Sequence, residues 1–351
     1  MANVLVVTSS PPLVEGGHLV IARALEQALR EAGHQAAIVT TPSNRFGRQA
    51  SAYLANWMTD VSQTGSGEPV DRVISLRFPS YAVRHPSHVS WLNHTMREYY
   101  DLWEDFSSRL SPQGRLKESV RRALIHRADT YLLGRLTAVF AQSRTIQERL
   151  TRWNRIASEV LYPPPPPRPY RSEGYGDYLF FASRLAPLKR TDLVLRALAQ
   201  REAAAVRMVI GGEGEELARL RVLARELGLD ARVTFTGRLG EAELVDHLAR
   251  CRGVVFVPKS EDYGFVTVEA FASGRPVITA TDSGGPAELV RDAVNGFVTP
   301  PEPRALARAF AALMDSPSDA ARMGAQGRQD VARLTWPATV DRLLQSGNRV
   351  S

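Results

Sequence analysis

Residues 254–280 read VVFVPKSEDYGFVTVEAFASGRPVITA, and four pieces of local structure follow one another within them. The apolar run at 254–257 is typical of a strand in a buried parallel sheet. Gly264 lies in a tight turn and opens an apolar helical stretch, which ends at Gly274. A second apolar strand begins at Val277. Strand, helix and strand in this order form a βαβ unit, so the stretch predicts an α/β fold.

Two carboxylates, Glu261 and Glu269, lie at one edge of this unit. The strand ends shortly before Glu261, and Glu269 falls about a turn and a half into the helix, so both side chains can face one crevice. Helix N-termini beside strand ends are where α/β folds bind phosphorylated ligands. A pair of carboxylates there can accept hydrogen bonds from neutral hydroxyls, such as those of a ribose diol or a sugar ring. The alternative is a helix acid favoured by the dipole and a solvated loop carboxylate.

Strand and helix alternate on both sides of a proline-rich segment. Before it, strands are predicted at 3–8, 36–40, 73–76, 89–92 and 138–141, and helices at 18–32, 96–106, 116–133 and 145–153. After it, strands are predicted at 178–182, 207–211, 233–236, 254–257 and 276–280, with helices between them. We therefore expect two doubly wound, Rossmann-like parallel sheets facing a cleft, with a helix and a loose loop at 42–70 beside that cleft.

The proline-rich segment divides the chain, because consecutive prolines form neither helix nor inner strand. We place an N-terminal domain at 1–162, a stiff linker at 163–171 and a C-terminal domain at 172–334. Residues 335–351 are expected to form a helix that packs back towards the N-terminal domain. A chain of 351 residues is long for one domain and sufficient for two.

The composition favours a cytoplasmic protein. A single cysteine, Cys251, excludes an internal disulfide and indicates a reducing compartment. The opening residues lead directly into a strand without the features of a signal peptide, and no apolar run is long enough to cross a membrane.

Much of the net charge of +7 lies between residues 115 and 155. This stretch contains ten basic residues against three acids, Glu118, Asp129 and Glu148. One explanation is arginine spread over solvated helix faces, and the other is association with the anionic inner face of a membrane. Nucleic acid is not expected as a partner, because no known binding module accompanies the charge.

A basic pair follows the first strand of the C-terminal domain. Arg184 can grip phosphate oxygens with its planar fork, and Lys189 adds a point charge five residues later. Glycine turns at Gly16-Gly17, Gly212–Gly214 and Gly284-Gly285 leave bare loops, in which backbone amides can approach an anion. The ordered set has the composition of a site for a nucleotide-diphosphate sugar, although no single element is specific.

In this order the motifs resemble those of the retaining GT-B glycosyltransferases of the family 4 group. The marks are Gly16-Gly17, the stretch 183–189, Gly212-Glu213-Gly214, and Glu261 to Glu269 with seven residues between them. Residues 79–86, 91–94, 261–264 and 282–286 also resemble a bacterial subgroup of such enzymes. The resemblance covers nearly the whole chain and is most specific over 178–300. It implies a GT-B architecture with two Rossmann-like domains.

The resemblance also implies roles for the residues that would bind the donor nucleotide. Arg184 and Lys189 would hold the diphosphate, with Gly16, Gly17 and Gly212 beside the phosphates. Glu269 would bind the ribose hydroxyls. The base would contact the turn that contains Arg238.

Further matching residues would bind and activate the donor sugar. Glu261 would touch the sugar, and His94 would lie near the anomeric centre. Backbone amides would hold sugar hydroxyls from three consecutive residues, Tyr263, Gly264 and Phe265. The catalytic residues implied are thus His94, Glu261, Arg184 and Lys189, although His94 can also simply cap a strand.

These roles predict transfer of a sugar, with retention of configuration, from a nucleotide-diphosphate donor to an acceptor hydroxyl. UDP is the first choice of nucleotide and GDP the second. The acceptor is a sugar, a lipid-linked sugar or a small molecule. No cofactor or metal is expected, because no Asp-x-Asp pair follows a strand and basic residues with backbone amides would stabilise the leaving group.

Two other classes remain open. A sugar-nucleotide epimerase or hydrolase would share the donor half, but the N-terminal half offers no convincing carboxylates for proton abstraction. A catalytically silent partner subunit would bind the donor without turnover. Such proteins usually lose the acidic pair or the basic pair, and this chain has both.

Overall fold

The structure is a computed structural model of the 351-residue chain and describes residues 1–11, 16–42 and 46–346. Its internal contacts divide the chain into two compact units. The first unit comprises Met1–Pro163 and Leu334–Ser351, and the second comprises Pro164–Arg333. The division falls within the run of five prolines at 163–167.

The first unit is built on a doubly wound parallel sheet. Over the described residues its strands are β1 (Asn3–Ser10), β2 (Gln35–Pro42), β3 (Arg72–Ser75), β4 (His88–Leu92), β5 (Ala138–Ala141) and β6 (Glu159–Val160). Its helices before the prolines are α1 (Gly17–Glu31), α2 (Gln49–Met58), α3 (Trp103–Ser107), α4 (Pro112–Leu133) and α5 (Arg144–Arg149). The strand order is β2-β1-β3-β4-β5-β6, and each neighbouring pair is parallel.

The second unit repeats this plan with a different strand order. Over the described residues its strands are β7 (Tyr178–Ala182), β8 (Arg207–Gly211), β9 (Val233–Gly237), β10 (Gly253–Val255), β11 (Val277–Ala280) and β12 (Gly296–Thr299). Its helices are α6 (Thr191–Leu198), α7 (Leu217–Glu226), α8 (Glu241–Arg250), α9 (Phe265–Ala272), α10 (Gly285–Leu289), α11 (Pro303–Asp315) and α12 (Pro317–Val331). The order is β12-β11-β10-β7-β8-β9, again parallel throughout.

Helices cover both faces of the second sheet. Consecutive residues of a strand point to opposite faces. Leu179, Phe180 and Phe181 of β7 are nevertheless all fully buried. This burial explains why the strands of this unit read as continuous apolar runs instead of alternating polar and apolar residues.

The C-terminal helix α13 (Trp336–Gln345) completes the first unit and packs against α1. Its last carbonyls have no partners within the helix and need donors from elsewhere. The largely buried Arg72 of β3 supplies them, because its guanidinium donates to the carbonyl oxygens of Leu344 at 2.8 Å and Ser346 at 2.6 Å. This contact satisfies the end of α13 with a positive charge, as the helix dipole favours.

Each sheet contains a point at which the strand order reverses. In the first sheet this point lies between β1 and β3, and in the second it lies between β7 and β10. The loops that leave two such strands diverge to opposite sides of the sheet and open a crevice at the carboxyl ends. Ligand-binding residues are therefore expected in the loops that follow β7 and β10, and in those that follow β1 and β3.

The structure confirms the predicted strands to within two residues at each end. The continuous helix predicted at 96–106 is wrong, because residues 100–102 separate a 3-10 turn at Arg97–Tyr99 from α3. Tyr99 and Tyr100 are both buried, and their hydroxyls donate to Glu118 at 2.8 Å and Asp129 at 2.7 Å on α4. These long-range contacts override local helix propensity.

Other differences are smaller. The helix predicted at 145–153 is α5 continued by a π-helical turn at Leu150–Asn154. Gly284-Gly285, predicted as a bare loop, opens the short helix α10. Of the helix and loop predicted at 42–70, the helix is α2, and residues 43–45 lie outside the described part of the chain.

Candidate functional site

The carboxyl ends of β7 and β10 carry the charged residues that the sequence singled out. A 3-10 turn, Pro187–Lys189, follows β7, and Glu261 follows β10. Lys189 Nζ lies 2.5 Å from Glu261 Oε2, and both side chains are about one-fifth exposed. Lys189 Nζ also lies 5.4 Å from the centroid of the Phe256 ring. A half-buried ion pair therefore occupies the switch point of the second sheet.

Arg190 joins the three loops that hold this ion pair. It donates through Nε to the carbonyl oxygen of Val257 and through Nη2 to that of Pro258, each at 2.7 Å. It also forms a two-point contact with Asp282, at 2.7 and 2.8 Å. These bonds connect the loops after β7, β10 and β11 around Lys189, which immediately precedes Arg190. The sequence analysis missed this residue, although its position directly after a proposed phosphate-binding lysine was a usable signal.

Backbone hydrogen bonds fix the position of Glu261. Its amide donates to the carbonyl of Ser283 at 2.8 Å, and its own carbonyl accepts from Gly285 at 2.9 Å. Ser260 donates in the same way to the carbonyl of Asp282 at 2.9 Å. Glu261 therefore belongs to a short extension of the sheet instead of a loose loop, and its carboxylate is held by ordered backbone.

Gly264 begins α9 in a conformation that favours glycine, with φ of +83°. A Cβ atom at this position would lie 2.7 Å from the Phe256 ring and 2.8 Å from Pro286. The neighbouring Tyr263 is buried, and its ring contacts Phe265 edge to face. The turn is thus packed against Phe256 and Pro286, which fixes where the N-terminus of α9 points.

Glu269 is buried on α9 and is held from the proline-rich segment. Its Oε1 atom pairs with Arg168 and accepts a hydrogen bond from the Tyr170 hydroxyl at 3.3 Å. Arg168 also lies 2.8 Å from Glu241 at the start of α8. Burial raises the pKa of Tyr170 well above its usual value, so the phenol stays protonated and acts as a donor. The sequence analysis treated this segment only as a linker, although Arg168 is the one charged residue within 163–169.

Gly212 packs the loop after β8 against the loop after β7. Its φ is +130°, and a Cβ atom there would lie 1.8 Å from the carbonyl oxygen of Ser183. The Gly212 amide donates to the carbonyl of Gly237 at 2.7 Å. The need for glycine at this position is therefore explained by close packing of the two loops.

Two predicted basic residues lie in more open positions. The side chain of Arg184 is 72% exposed and pairs with Glu215 at 3.2 Å. Arg238 follows β9 directly and is exposed. Lys189 and Glu261 are thus in contact with each other, whereas Arg184 has a separate acidic partner.

The first unit also places polar residues where its strands end. Gly16 precedes α1, which begins at Gly17, and His94 follows β4. The pKa of the buried His18 is lowered to about 3 by burial and by the nearby charges of Arg77 and His94, so the ring is neutral at physiological pH. His18 and Arg77 were not singled out from the sequence, because a histidine in a helix and an arginine after a strand carry no distinguishing pattern.

His94 is half-buried and turns one side of its ring towards its own loop. Its Nδ1 atom lies 2.8 Å from the carbonyl oxygen of Thr95. A small cavity borders the ring and is lined by apolar residues together with Arg149 and Asn154. The contact with Thr95 fits the capping role that the sequence left open.

Residues 168–330 match the family model of glycosyl transferases group 1. This part of the chain is therefore similar to the glycosyl transferases of group 1. It contains Arg168 at its first position, and it includes the Lys189–Glu261 pair and Glu269. The residues Gly16, Gly17 and His94 lie outside it, in the first unit.

Curated relatives match this chain over only part of their own length. The D-inositol 3-phosphate glycosyltransferase of Streptomyces griseus subsp. griseus is 37% identical over 168 residues, which cover 44% of this chain and 35% of that protein. The protein of the same name from Mycobacterium avium is 37% identical over 179 residues, which cover 49% and 42%. The chain therefore spans less than half the length of these two relatives.

Solved structures match both units. The crystal structure of Anabaena Alr3699/HepE in complex with UDP and glucose has a TM-score of 0.73 at 18% identity, covering 99% of this chain and 100% of that one. Sucrose-phosphate synthase from Thermosynechococcus elongatus has a TM-score of 0.73 at 19% identity, covering 97% of each chain. These similarities confirm the GT-B fold, with two Rossmann-like α/β sheets, that the sequence predicted.

Within residues 1–11, 16–42 and 46–346, no group of three or more His, Cys, Asp or Glu side chains is arranged to hold a metal ion. Over the same residues, no helix combines the length and the apolar character needed to cross a membrane.

Proposed function

We propose that the chain is a retaining glycosyltransferase that moves a sugar from a nucleotide-diphosphate sugar to an acceptor hydroxyl. The observation that supports this best is the ion pair of Lys189 and Glu261 at the β7–β10 switch point, within the residues that match glycosyl transferases group 1. We propose UDP as the donor nucleotide, with GDP as the second choice. The acceptor belongs to the sugars, lipid-linked sugars or small hydroxyl compounds.

Positive charge at the switch point can stabilise a departing diphosphate. Cleavage of a sugar–phosphate bond builds negative charge on the leaving group, and fixed positive groups stabilise it without reorganising. In the proposed complex Lys189 exchanges its contact with Glu261 for the diphosphate, and the exposed Arg184 joins it. Arg190 keeps the surrounding loops in place, because its bonds to Val257, Pro258 and Asp282 do not involve the ligand.

The two carboxylates are proposed to bind different parts of the donor. Glu261, once released from Lys189, accepts hydrogen bonds from hydroxyls of the transferred sugar. Glu269 accepts hydrogen bonds from the ribose, and its Oε1 atom is already held by Arg168 and Tyr170. Backbone amides of Tyr263, Gly264 and Phe265, where α9 begins, are proposed to donate to sugar hydroxyls, and Gly212 is proposed to lie beside the phosphates with Gly16 and Gly17.

We propose a same-face reaction without a divalent metal. The bond between the anomeric carbon and the phosphate oxygen breaks, and the acceptor oxygen bonds to the carbon on that face. The acceptor proton moves to the departing phosphate. Lys189, Arg184 and backbone amides supply the positive field in this scheme. His94 is proposed as a contact of the transferred sugar, and Arg238 as part of the turn that binds the base.

Thermal unfolding in the presence of UDP, GDP, ADP or dTDP tests the donor class. Binding of one of these by the folded chain stabilises it by about 2.7 kcal/mol at a hundredfold excess over Kd. We expect UDP to give the largest effect. If none of the four binds, the proposed function is wrong.

Turnover with a panel of labelled nucleotide sugars separates a transferase from other donor-binding proteins. We expect free nucleoside diphosphate to be released together with the sugar or a glycosylated product. Conversion of the sugar without release of the diphosphate would indicate an epimerase. Tight binding without any conversion would indicate a silent subunit.

A further inference from the structure

The outer face of α4 carries an apolar stripe that is interrupted by Arg127. Leu116, Val120, Leu124 and Tyr131 are each between 57% and 71% exposed. Their spacings of four, four and seven residues place them on one side of a helix. Four of the ten large apolar side chains exposed within the described residues therefore lie on this single helix face. Such clustering marks an interaction surface, whereas isolated exposed apolar residues need no explanation.

The acids of α4 point into the unit. The buried Asp129 accepts hydrogen bonds from Tyr53, Tyr81 and Tyr100. The buried Glu118 pairs with Arg121 at 2.6 Å and accepts from Tyr99 at 2.8 Å. Glu118 and Asp129 are the two acids of the helix, so α4, all of which is described, exposes no negative charge.

Basic residues border and interrupt the apolar stripe. Lys117 and Arg127 are exposed on α4, and Arg135 is exposed just beyond its end. On a regular helix Lys117 falls beside Leu124, and Arg127 falls between Leu116 and Val120. The outer face thus combines exposed apolar side chains with positive charge, which lies along one edge at Lys117 and Arg135 and within the stripe at Arg127.

We propose that α4 lies flat on an anionic phospholipid bilayer. The helix has 22 residues and is about 33 Å long, so the stripe can enter the headgroup region along several turns. The aliphatic stems of lysine and arginine can extend from the helix while their charged ends contact lipid phosphates. This inference concerns the first unit and does not depend on the proposed activity.

Charge complementarity favours a membrane over other occupants of this face. In a symmetric dimer the same basic residues of two copies would face each other, which is unfavourable without intervening acids. A nucleic-acid backbone would contact the basic residues but would gain nothing from the leucine and valine side chains of the stripe. An anionic bilayer satisfies both parts of the surface at once.

Co-sedimentation of the full chain with vesicles tests the proposal. The vesicles contain phosphatidylcholine alone or with an equal amount of phosphatidylglycerol. We expect binding to the anionic vesicles that weakens as salt is raised. The triple variant Leu116→Ser/Val120→Ser/Leu124→Ser should weaken binding at least tenfold. Lys117→Gln/Arg127→Gln/Arg135→Gln should weaken it by roughly fivefold for each charge removed.

A matched control lies on the second unit. Helix α7 exposes Val222 between Arg221 and Arg225, and the variant Val222→Ser/Arg221→Gln/Arg225→Gln changes the same kinds of side chain there. It should bind anionic vesicles as the unmodified chain does. Circular dichroism and melting curves verify that each variant is folded, which is expected because all substituted side chains are exposed.

Three results would overturn the proposal. The first is vesicle binding by the serine variant at full strength while it remains folded. The second is a concentration-dependent dimer in sedimentation velocity that the serine variant abolishes, because a second copy would then cover the stripe. The third is binding to RNA but not to vesicles, with dependence on the basic residues alone.

Discussion

Buried or half-buried acids occur in both units, but they have different partners. In the first unit Asp129 is surrounded by three tyrosine hydroxyls. In the second unit Glu261 pairs with Lys189, and Glu269 pairs with Arg168. Phenols are neutral donors that tie an acid permanently into a core. A cation at a strand edge can release its acid and bind a phosphate instead, and the acid can accept hydrogen bonds from a hydroxyl. The second arrangement is therefore suited to binding a ligand.

The comparison therefore separates an acid that stabilises the fold from the two acids that we propose bind a donor. Removing Asp129 should alter unfolding and leave nucleotide binding intact. Removing the acids or cations of the second unit should do the opposite. The following predictions test that separation.

The largest effect is expected from Lys189→Ala. Loss of a fixed positive group beside a developing negative charge lowers kcat about a hundredfold to a thousandfold. Steady-state kinetics with the active nucleotide sugar measures this loss. Lys259→Ala, an exposed lysine in the loop after β10, is the matched control and should keep normal rates. Equal rates for the two variants would remove Lys189 from the mechanism.

The next effect concerns the pH dependence of unfolding. Burial raises the pKa of Asp129 to about 6 from 3.8. Between these values the folded chain retains a proton that the unfolded chain has lost, so the free energy of unfolding falls as pH rises. This contribution is fully present below pH 3.8, is lost as pH passes 6, and amounts to at most about 3 kcal/mol.

Urea unfolding between pH 4 and pH 7 measures this contribution. The variant Asp129→Asn has no titrating group at this position. The difference in free energy of unfolding between this variant and the unmodified chain should therefore change across this range and level off above about pH 6. Nucleotide affinity should be the same in both. A pH-independent difference would show that the carboxyl does not titrate as described.

The acids of the second unit should differ from each other. Glu269→Ala removes the proposed contact to the ribose and is expected to weaken UDP binding by a factor of about 10 to 150, which corresponds to about 1.5–3 kcal/mol. Glu261→Ala should keep UDP affinity and lose turnover with the intact donor, because it contacts the sugar. Calorimetry with UDP distinguishes them, and equal losses of affinity would contradict the assignment.

A smaller effect is expected from Arg168→Ala. Without this partner the Glu269 carboxylate is held less firmly, so we expect UDP to bind about tenfold more weakly, near the low end of a charge-assisted hydrogen bond. Binding of 2′-deoxy-UDP should change less, because it lacks one of the ribose hydroxyls. Arg171→Ala, which removes an exposed partner of Glu173, is the control. Equal weakening of both ligands would indicate a general structural effect.

The fold was predicted well from the sequence. Parallel strands that are buried on both faces appear as apolar runs, and glycine turns mark where they end. Sequence reasoning also placed Lys189 and Glu261 correctly at the ends of β7 and β10. Their direct contact was not foreseen, since pairing between residues 72 positions apart depends on the strand order.

Contacts of the proline-rich segment could not be predicted from the sequence. Arg168 reaches Glu269 across 101 residues, and nothing in the local pattern specifies that partner. The short 3-10 turn and α3 were missed for a related reason, because the buried hydroxyl contacts of Tyr99 and Tyr100 with α4 replace a regular helix. Long-range polar contacts were therefore the main gap in the prediction.

Proton NMR of the released sugar tests the central claim most directly. The chain is incubated in excess EDTA with the nucleotide sugar that stabilises it most, and spectra are recorded before the product equilibrates in water. We predict undiminished activity and a first-formed product with the anomeric configuration of the donor. A product of opposite configuration, or activity that stops in EDTA and returns with magnesium, would contradict a metal-independent retaining transfer.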